Sequence, residues 1–145
     1  MHNQIKAVIL ACGAVVLACG MVNANEDSLQ HSKAALADGR YLEALHLAGE
    51  AYQAGVAPEA AALVRARAAD LGGASRRRTE ALYFTALDHA AHKGPVLGYL
   101  TLFYLQSGQT RKARDTEAAF IAACRYNCAR FKHQIRNAWQ MTQAR

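Results

Sequence analysis

The chain has 145 residues, with 17 Lys or Arg against 11 Asp or Glu, and a formal net charge of +6 when its histidines are neutral. This length suits one domain and is too short for two independent hydrophobic cores. Alanine and leucine, the best helix formers, are abundant, whereas valine and isoleucine, which favour strands, lie mostly in the first 22 residues. The composition therefore predicts an all-α domain.

The N-terminal segment is typical of an export signal. A polar start with one lysine, "MHNQIK", precedes 16 uncharged residues and a small-x-small exit formed by Val22 and Ala24. This pattern predicts a signal peptide over residues 1–24, cleaved after Ala24. Two alternatives remain open: a retained anchor, although the run is short for a membrane span, and lipid attachment at Cys19. "VLAC" resembles the lipobox of bacterial lipoproteins but has Val and bulky Leu where Leu and a small residue are usual.

Seven helices are predicted in the remaining chain. Asp27 or Ser28 would cap the first helix, which would end near Gly39. The second would run from about Tyr41 to Gly55, and the third from Pro58 to the glycine pair 72–73. The fourth would lie within 74–94 and end at Gly94, and the fifth, apolar on nearly every side, would begin at Pro95 and form the buried centre. Thr110 would cap the sixth, which would reach about residue 126, and the seventh would cover about 129–141.

One short pattern occurs twice in the chain. Residues 36–44 read "LADGRYLEA" and residues 105–113 read "LQSGQTRKA", so that a Leu, a Gly and an Ala recur 69 residues apart. Each glycine would lie in the turn between two helices, and each alanine would let the following helix pack closely. Short connections between helices favour antiparallel neighbours. The pattern therefore predicts a repeated helical hairpin.

The stretches "ADGRYLEAL" and "YLQSGQTRKA" resemble the turn of tetratricopeptide repeats, whose period is about 34 residues. "AAHKGPVLGYLTLFYLQSG" is similar to the related Sel1-type repeat. The resemblance covers about residues 28–124 as three hairpins, and it implies a short α-solenoid that binds partner proteins and has no universal catalytic residues. The middle unit has Gly73, but the alanine that corresponds to Ala44 and Ala113 is delayed to Ala81, which predicts about three extra loop residues. A general helical bundle is the alternative.

A solenoid needs a cap on its exposed apolar end. The helix at about residues 128–142 suits that role, because Phe131 and Trp139 would cover the last hairpin while its basic residues face water. Before it, Cys124 and Cys128 are the cysteines that would remain after export, and an oxidising compartment favours a disulfide between them. Asn127 would allow a left-handed turn there. Two reduced thiols are the alternative.

Two groups of residues are candidates for binding. The first group consists of tyrosines that would line a groove or the core: Tyr41, Tyr52, Tyr99 and Tyr104. The second is a basic flank of the seventh helix, which would attract an acidic protein, an anionic lipid or a phosphate: Arg130, Lys132 and Arg136. A solvated helix face is the plainer explanation of these charges.

We expect an exported, non-catalytic interaction scaffold in the periplasm, with another envelope protein or peptide as its partner. A role in assembling a secretion, conjugation or pilus apparatus is a hypothesis from size and location. Export argues against nucleic acid, and no cofactor, metal or catalytic residue is expected. One alternative is a binder of anionic surfaces through the seventh helix. Another is a small metal enzyme built on His89 and His92, which lacks identified further ligands.

Overall fold

The structure is a computed structural model that describes residues 26–125 and 128–144. These residues form seven α-helices and, within those two ranges, no strand. Helix α1 covers residues 26–37, and the others are α2 (Tyr41–Gln53), α3 (Pro58–Leu71), α4 (Arg76–His89), α5 (Lys93–Gln106), α6 (Thr110–Ala123) and α7 (Cys128–Gln143). The predicted all-α class is confirmed. The predicted signal segment, including Cys19 and Ala24, lies outside the described residues.

The helices pack in chain order as antiparallel hairpins. Each of α2, α3, α4 and α5 packs against the next helix along the chain, and α1 joins α2 and α3 through a cluster of small residues, Ala35, Ala44 and Ala68. Connections of a few residues leave no room for another arrangement. The result is a short solenoid of helical hairpins followed by α7, as predicted.

The turns at Gly39 and Gly108 have the same geometry. Both glycines have positive φ, 78° and 73°, a conformation that costs an L side chain energy. The amide of Arg40 donates to the carbonyl oxygen of Ala35 at 2.8 Å, and the amide of Gln109 donates to that of Tyr104 at 2.8 Å. These are the bonds of a Schellman helix end. The repeated glycine of the sequence is therefore a repeated helix stop.

The repeated alanine, by contrast, is a packing position. Ala44 and Ala113 are both fully buried, and each amide makes the first bond of its helix, to the carbonyl oxygen four residues earlier. In the middle hairpin, Thr79 makes that bond and is also fully buried, whereas Ala81 is exposed. The prediction that Ala81 is the buried small residue after this turn was wrong. Ser75 adds one residue to the turn, instead of about three, and its side chain accepts from the amide of Arg78.

Helix α5 is the centre of the fold, as its apolar sequence predicted. It packs against α3, α4, α6 and α7, and its buried residues fall on all sides, including Val96, Leu100 and Tyr104. Gly94 and Gly98 allow two of these close approaches. A Cβ atom on Gly94 would lie 3.2 Å from the Cα of Cys124, and one on Gly98 would lie 2.5 Å from the Phe131 ring. Gly94 therefore lies inside α5, where it allows the close approach of Cys124. The prediction that it ends α4 was wrong.

Three other helix ends differ from the sequence prediction. Asp27 and Ser28 are themselves helical residues of α1, which already includes residue 26. Thr110 is the first residue of α6, and Gln109, which precedes it, makes no side-chain capping bond. Helix α6 ends at Ala123, because Cys124 is extended.

A polar cluster joins α4, α5 and α6. Glu80 accepts hydrogen bonds from the Tyr104 hydroxyl and from Lys112 Nζ, both at 2.6 Å. These bonds lower the pKa of Glu80 below its ordinary value, chiefly through Lys112. Tyr104 is buried, and burial together with the Glu80 carboxylate raises the pKa of its hydroxyl. The cluster therefore fixes the register of three helices with one charged carboxylate.

We predict that Gly98→Ala lowers the free energy of unfolding by about 1–2 kcal/mol. The added methyl group would force the Phe131 ring away, a cost of about 1–3 kcal/mol, which exceeds the gain of up to about 1 kcal/mol from replacing a helical glycine. Gly49→Ala is the matched control, since the nearest atom to its new Cβ would be Arg65 Nε at 3.9 Å. Urea unfolding of both variants measures the difference. Equal stabilisation by both substitutions would contradict the close approach of α7.

We also predict a pH-dependent effect of Glu80→Gln. Because the folded-state pKa of Glu80 is lowered, its charge stabilises the fold above the ordinary value of 4.5, and this contribution is lost as the pH falls through the lowered pKa. The pair with Lys112 is partly exposed, so the loss at pH about 7 should be no more than about 1 kcal/mol. Urea unfolding should show that loss at neutral pH and a smaller loss at an acidic pH below 4.5. A loss equal at both pH values would contradict the charge's role; Asp88→Asn, an exposed change on α4, is the control.

Candidate functional site

The four candidate tyrosines have different environments. Tyr104 is 3% exposed and belongs to the core. Tyr41 is half-buried, with its Cβ close to the backbone of Gly72. The hydroxyl of Tyr52 makes a hydrogen bond of 2.8 Å with His89 Nε2 and so links α2 to α4. Each of these three tyrosines therefore has a place in the packing between helices of the chain.

Tyr99 is the centre of a row that crosses three helices. The guanidinium of Arg67 in α3 lies 4.0 Å from the centre of the Tyr99 ring, and the Phe131 ring of α7 meets the same tyrosine edge-on at 4.9 Å. Arg67 also pairs with Asp70 at 3.3 Å. The row places α3, α5 and α7 side by side in one layer of the solenoid.

The basic residues of α7 remain available to a partner. Arg130, Lys132 and Arg136 are all exposed, and none of the three takes part in a salt bridge within the described part of the chain. Helix α7 also contains no acidic residue of its own. The predicted basic flank therefore exists as a set of solvated cations.

A groove lies between α6 and α7. Both helices pack on α5, while their own backbones stay apart, so the space between them opens to solvent with a volume of about 370 Å³. Its apolar lining consists of Ile121 and Trp139 above the almost fully buried Phe120 and Ile135. The polar part of the lining comprises Glu117, Lys132, Arg136, Gln140 and Gln143. We call this feature the α6–α7 groove.

Two side chains define the character of the α6–α7 groove. Ile121 is 58% exposed and lines the groove from the α6 side. The indole nitrogen of Trp139 donates to Glu117 at 2.7 Å, so the one acid in the lining is already engaged and the indole is held in place. The surface offered to a partner is consequently apolar with a cationic edge.

Sequence reasoning missed Ile121. Phe120 and Ile121 are adjacent large apolar residues on one amphipathic helix, and adjacent residues point about 100° apart. Only one of them can face α5, and the structure buries Phe120 fully. A search for paired bulky residues beside a narrow apolar stripe would have identified Ile121 as a surface anchor.

The α6–α7 connection ends in a cysteine pair. Cys124 and Cys128 lie at disulfide distance, with Cα atoms 5.8 Å apart, which fits the predicted bridge. Cys124 follows α6 directly and Cys128 begins α7, so a bridge here joins the two helices that form the groove. Asn127, the predicted left-handed residue, lies outside the described residues.

The histidines considered as metal ligands have other environments. His89 is hydrogen-bonded to the Tyr52 hydroxyl, and His92 is an exposed residue just before α5. Glu80, a third possible ligand by residue type, accepts hydrogen bonds from Tyr104 and Lys112. Within residues 26–125 and 128–144, no group of three or more His, Cys, Asp or Glu side chains is placed to hold a metal ion.

Comparisons with known proteins leave the function to be argued from these residues. Among the described helices, none has the length and apolar character needed to cross a membrane. No protein family, curated protein or solved structure matches this chain.

Proposed function

We propose that the protein is an exported, non-catalytic scaffold that binds another protein of the bacterial envelope. The observation that carries this proposal is the α6–α7 groove, where Ile121 and Trp139 present apolar surface beside the cations Lys132 and Arg136. Large apolar side chains left in a solvent-exposed groove are characteristic of protein-binding sites. Support of a secretion, conjugation or pilus apparatus is the process we infer, on grounds of size and export.

Membership in the tetratricopeptide and Sel1-like repeat class is part of the proposal. Its support is the equivalence of the turns at Gly39 and Gly108, together with the buried small residues that follow each turn. Arrays of such hairpins have extended surfaces that suit protein binding. The single-residue insertion at Ser75 is a smaller departure from the repeat than the sequence predicted.

Export to the periplasm is supported by two independent features. One is the signal-like sequence of residues 1–24. The other is the cysteine pair at disulfide distance, since disulfides persist in oxidising compartments and are rare in reducing ones. Lipid attachment at Cys19 is the alternative to simple cleavage after Ala24.

A second candidate function is binding to an anionic surface through α7. The observation in its favour is that Arg130, Lys132 and Arg136 are exposed on a helix without acidic residues. Such a helix is attracted to acidic lipids or polymers, and the attraction weakens with salt. The scaffold proposal is preferred because it also accounts for the apolar lining of the groove.

We predict that a photo-crosslinking amino acid at position 121 captures one protein of discrete mass in intact envelopes. Ile121 is exposed in the groove, so the substitution should leave the core intact. The same amino acid at position 88, where Asp88 is exposed on α4, is the matched control and should give no adduct of that mass. Adducts that are identical at both positions, or absent at both, would contradict the scaffold proposal.

We further predict that the chain isolated from its native envelope has the mass of residues 25–145. Alkylation under native conditions should leave Cys124 and Cys128 unmodified, since a disulfide would protect both thiols. Intact-mass spectrometry with and without prior reduction measures both properties. A full-length mass with two alkylated thiols in the mature region would contradict export, and a lipid-sized increment would support attachment at Cys19.

A further inference from the structure

The solenoid consists of two layers, and one position at its end is vacant in the described part of the chain. The Arg67–Tyr99–Phe131 row places α3, α5 and α7 in the first layer. The contact between Tyr52 and His89 joins α2 to α4 in the second layer. The next position of the second layer would lie beside α6 and over α7, which is where the α6–α7 groove opens.

Helix α6 is the next helix of the second layer and the last one in the described part of the chain. Lys112 reaches Glu80 and so joins α6 to α4. Helix α7 therefore occupies the position of the first helix of a fourth hairpin. Within residues 26–125 and 128–144, no second helix packs over it. A helix placed in the groove would pack on both α6 and α7 in the same way that the earlier hairpins are closed.

The chemistry of the α6–α7 groove defines its occupant. Ile121 and Trp139 favour apolar side chains opposite them, since Glu117 already accepts the indole hydrogen bond. Lys132 and Arg136 are one helical turn apart on the same side of α7, and neither has an ionic partner in the described residues. Carboxylates on the edge of the incoming segment would complement both cations.

We propose that the α6–α7 groove binds an amphipathic helix of a partner protein, with an apolar stripe facing Trp139 and acidic residues facing Lys132 and Arg136. This inference rests on the proposed scaffold function and adds the chemistry of the partner segment. Helix-in-groove recognition of this kind uses anchors at positions i, i+3 or i+4, and i+7.

The length of the groove sets the length of the partner segment. Its α7 side runs from Lys132 to Gln143, which corresponds to about 16 Å or three turns of helix. A segment of three to four turns therefore spans the groove and places two or three apolar residues in it. Two copies of this chain meeting groove to groove would bring the same cations together, which disfavours self-association at this surface.

Trp139 is the single tryptophan of the chain, so its fluorescence reports directly on the groove. The probe is a capped synthetic peptide of about 16 residues, long enough for four turns, with leucine at helical i, i+3, i+4 and i+7 spacing and glutamate on both flanks. Titration into the purified chain should shift the Trp139 emission to shorter wavelength and saturate. A peptide of the same length with lysine in place of glutamate should bind at least about tenfold more weakly, as the loss of two favourable charge contacts requires.

Matched charge variants test the location of binding. Lys132→Glu with Arg136→Glu should weaken binding of the acidic peptide by about tenfold or more. Arg76→Glu with Arg77→Glu changes the net charge equally on the exposed start of α4 and should have a much smaller effect. Ile121→Ser should weaken binding of both peptides without changing the unfolding free energy, because its side chain is mostly exposed.

Three outcomes would overturn the proposal. The first is an equal loss of affinity in the two charge variants, which would indicate long-range attraction without a specific site. The second is that the acidic peptide does not bind, whereas the chain binds vesicles of anionic phospholipid and the Lys132 and Arg136 variant binds them more weakly. That result would favour a membrane surface. The third is a Trp139 shift that depends on protein concentration without peptide, which would indicate a second copy.

The failure of this proposal can be distinguished from the failure of the scaffold function. If the photo-crosslink at position 121 captures a discrete protein while the acidic peptide does not bind, the scaffold function stands and the helical acidic occupant is wrong. If neither experiment gives a signal, the groove is not a protein-binding site and both proposals fall.

Discussion

The close approach of α7 to α5 is the contact on which the candidate site depends. The Phe131 ring lies against Gly98 so closely that a Cβ atom there would overlap it, and the same ring contacts Tyr99 and Phe120 edge-on. Because α6 also packs on α5, both walls of the α6–α7 groove are positioned by the same central helix. The width of the groove is therefore set by the packing of both helices on α5, together with side-chain contacts between them such as the Trp139–Glu117 hydrogen bond.

The repeated turn and the central helix could be predicted from sequence, because each depends on a local property. A glycine with positive φ ends a helix wherever it lies, and a segment that is apolar on all sides must be buried. Gly94 and Gly98 could not be assigned in this way. A glycine that ends a helix and one that admits a neighbouring helix look alike in a sequence, and only the positions of Cys124 and Phe131 distinguish them.

The candidate site was predicted only in part, and for a related reason. The cations Lys132 and Arg136 were identified from charge alone, whereas the apolar wall supplied by Ile121 was missed, because it depends on α6 and α7 being held apart. The four tyrosines were chosen by residue type, and the structure places them in the packing between helices, as the hydrogen bond between Tyr52 and His89 shows. Residue type identifies a capacity to bind, and tertiary packing decides whether it is available.

The cysteine pair gives this groove a second constraint. A bridge between Cys124 and Cys128 closes a loop with a sequence separation of only four residues, so its entropic contribution to stability in the chain-entropy model is modest, at about 2 kcal/mol. Its position matters more, because it joins the ends of two helices whose backbones otherwise stay apart. Binding then has less conformational freedom to remove at α6 and α7, and preorganisation of this kind increases affinity without adding a contact.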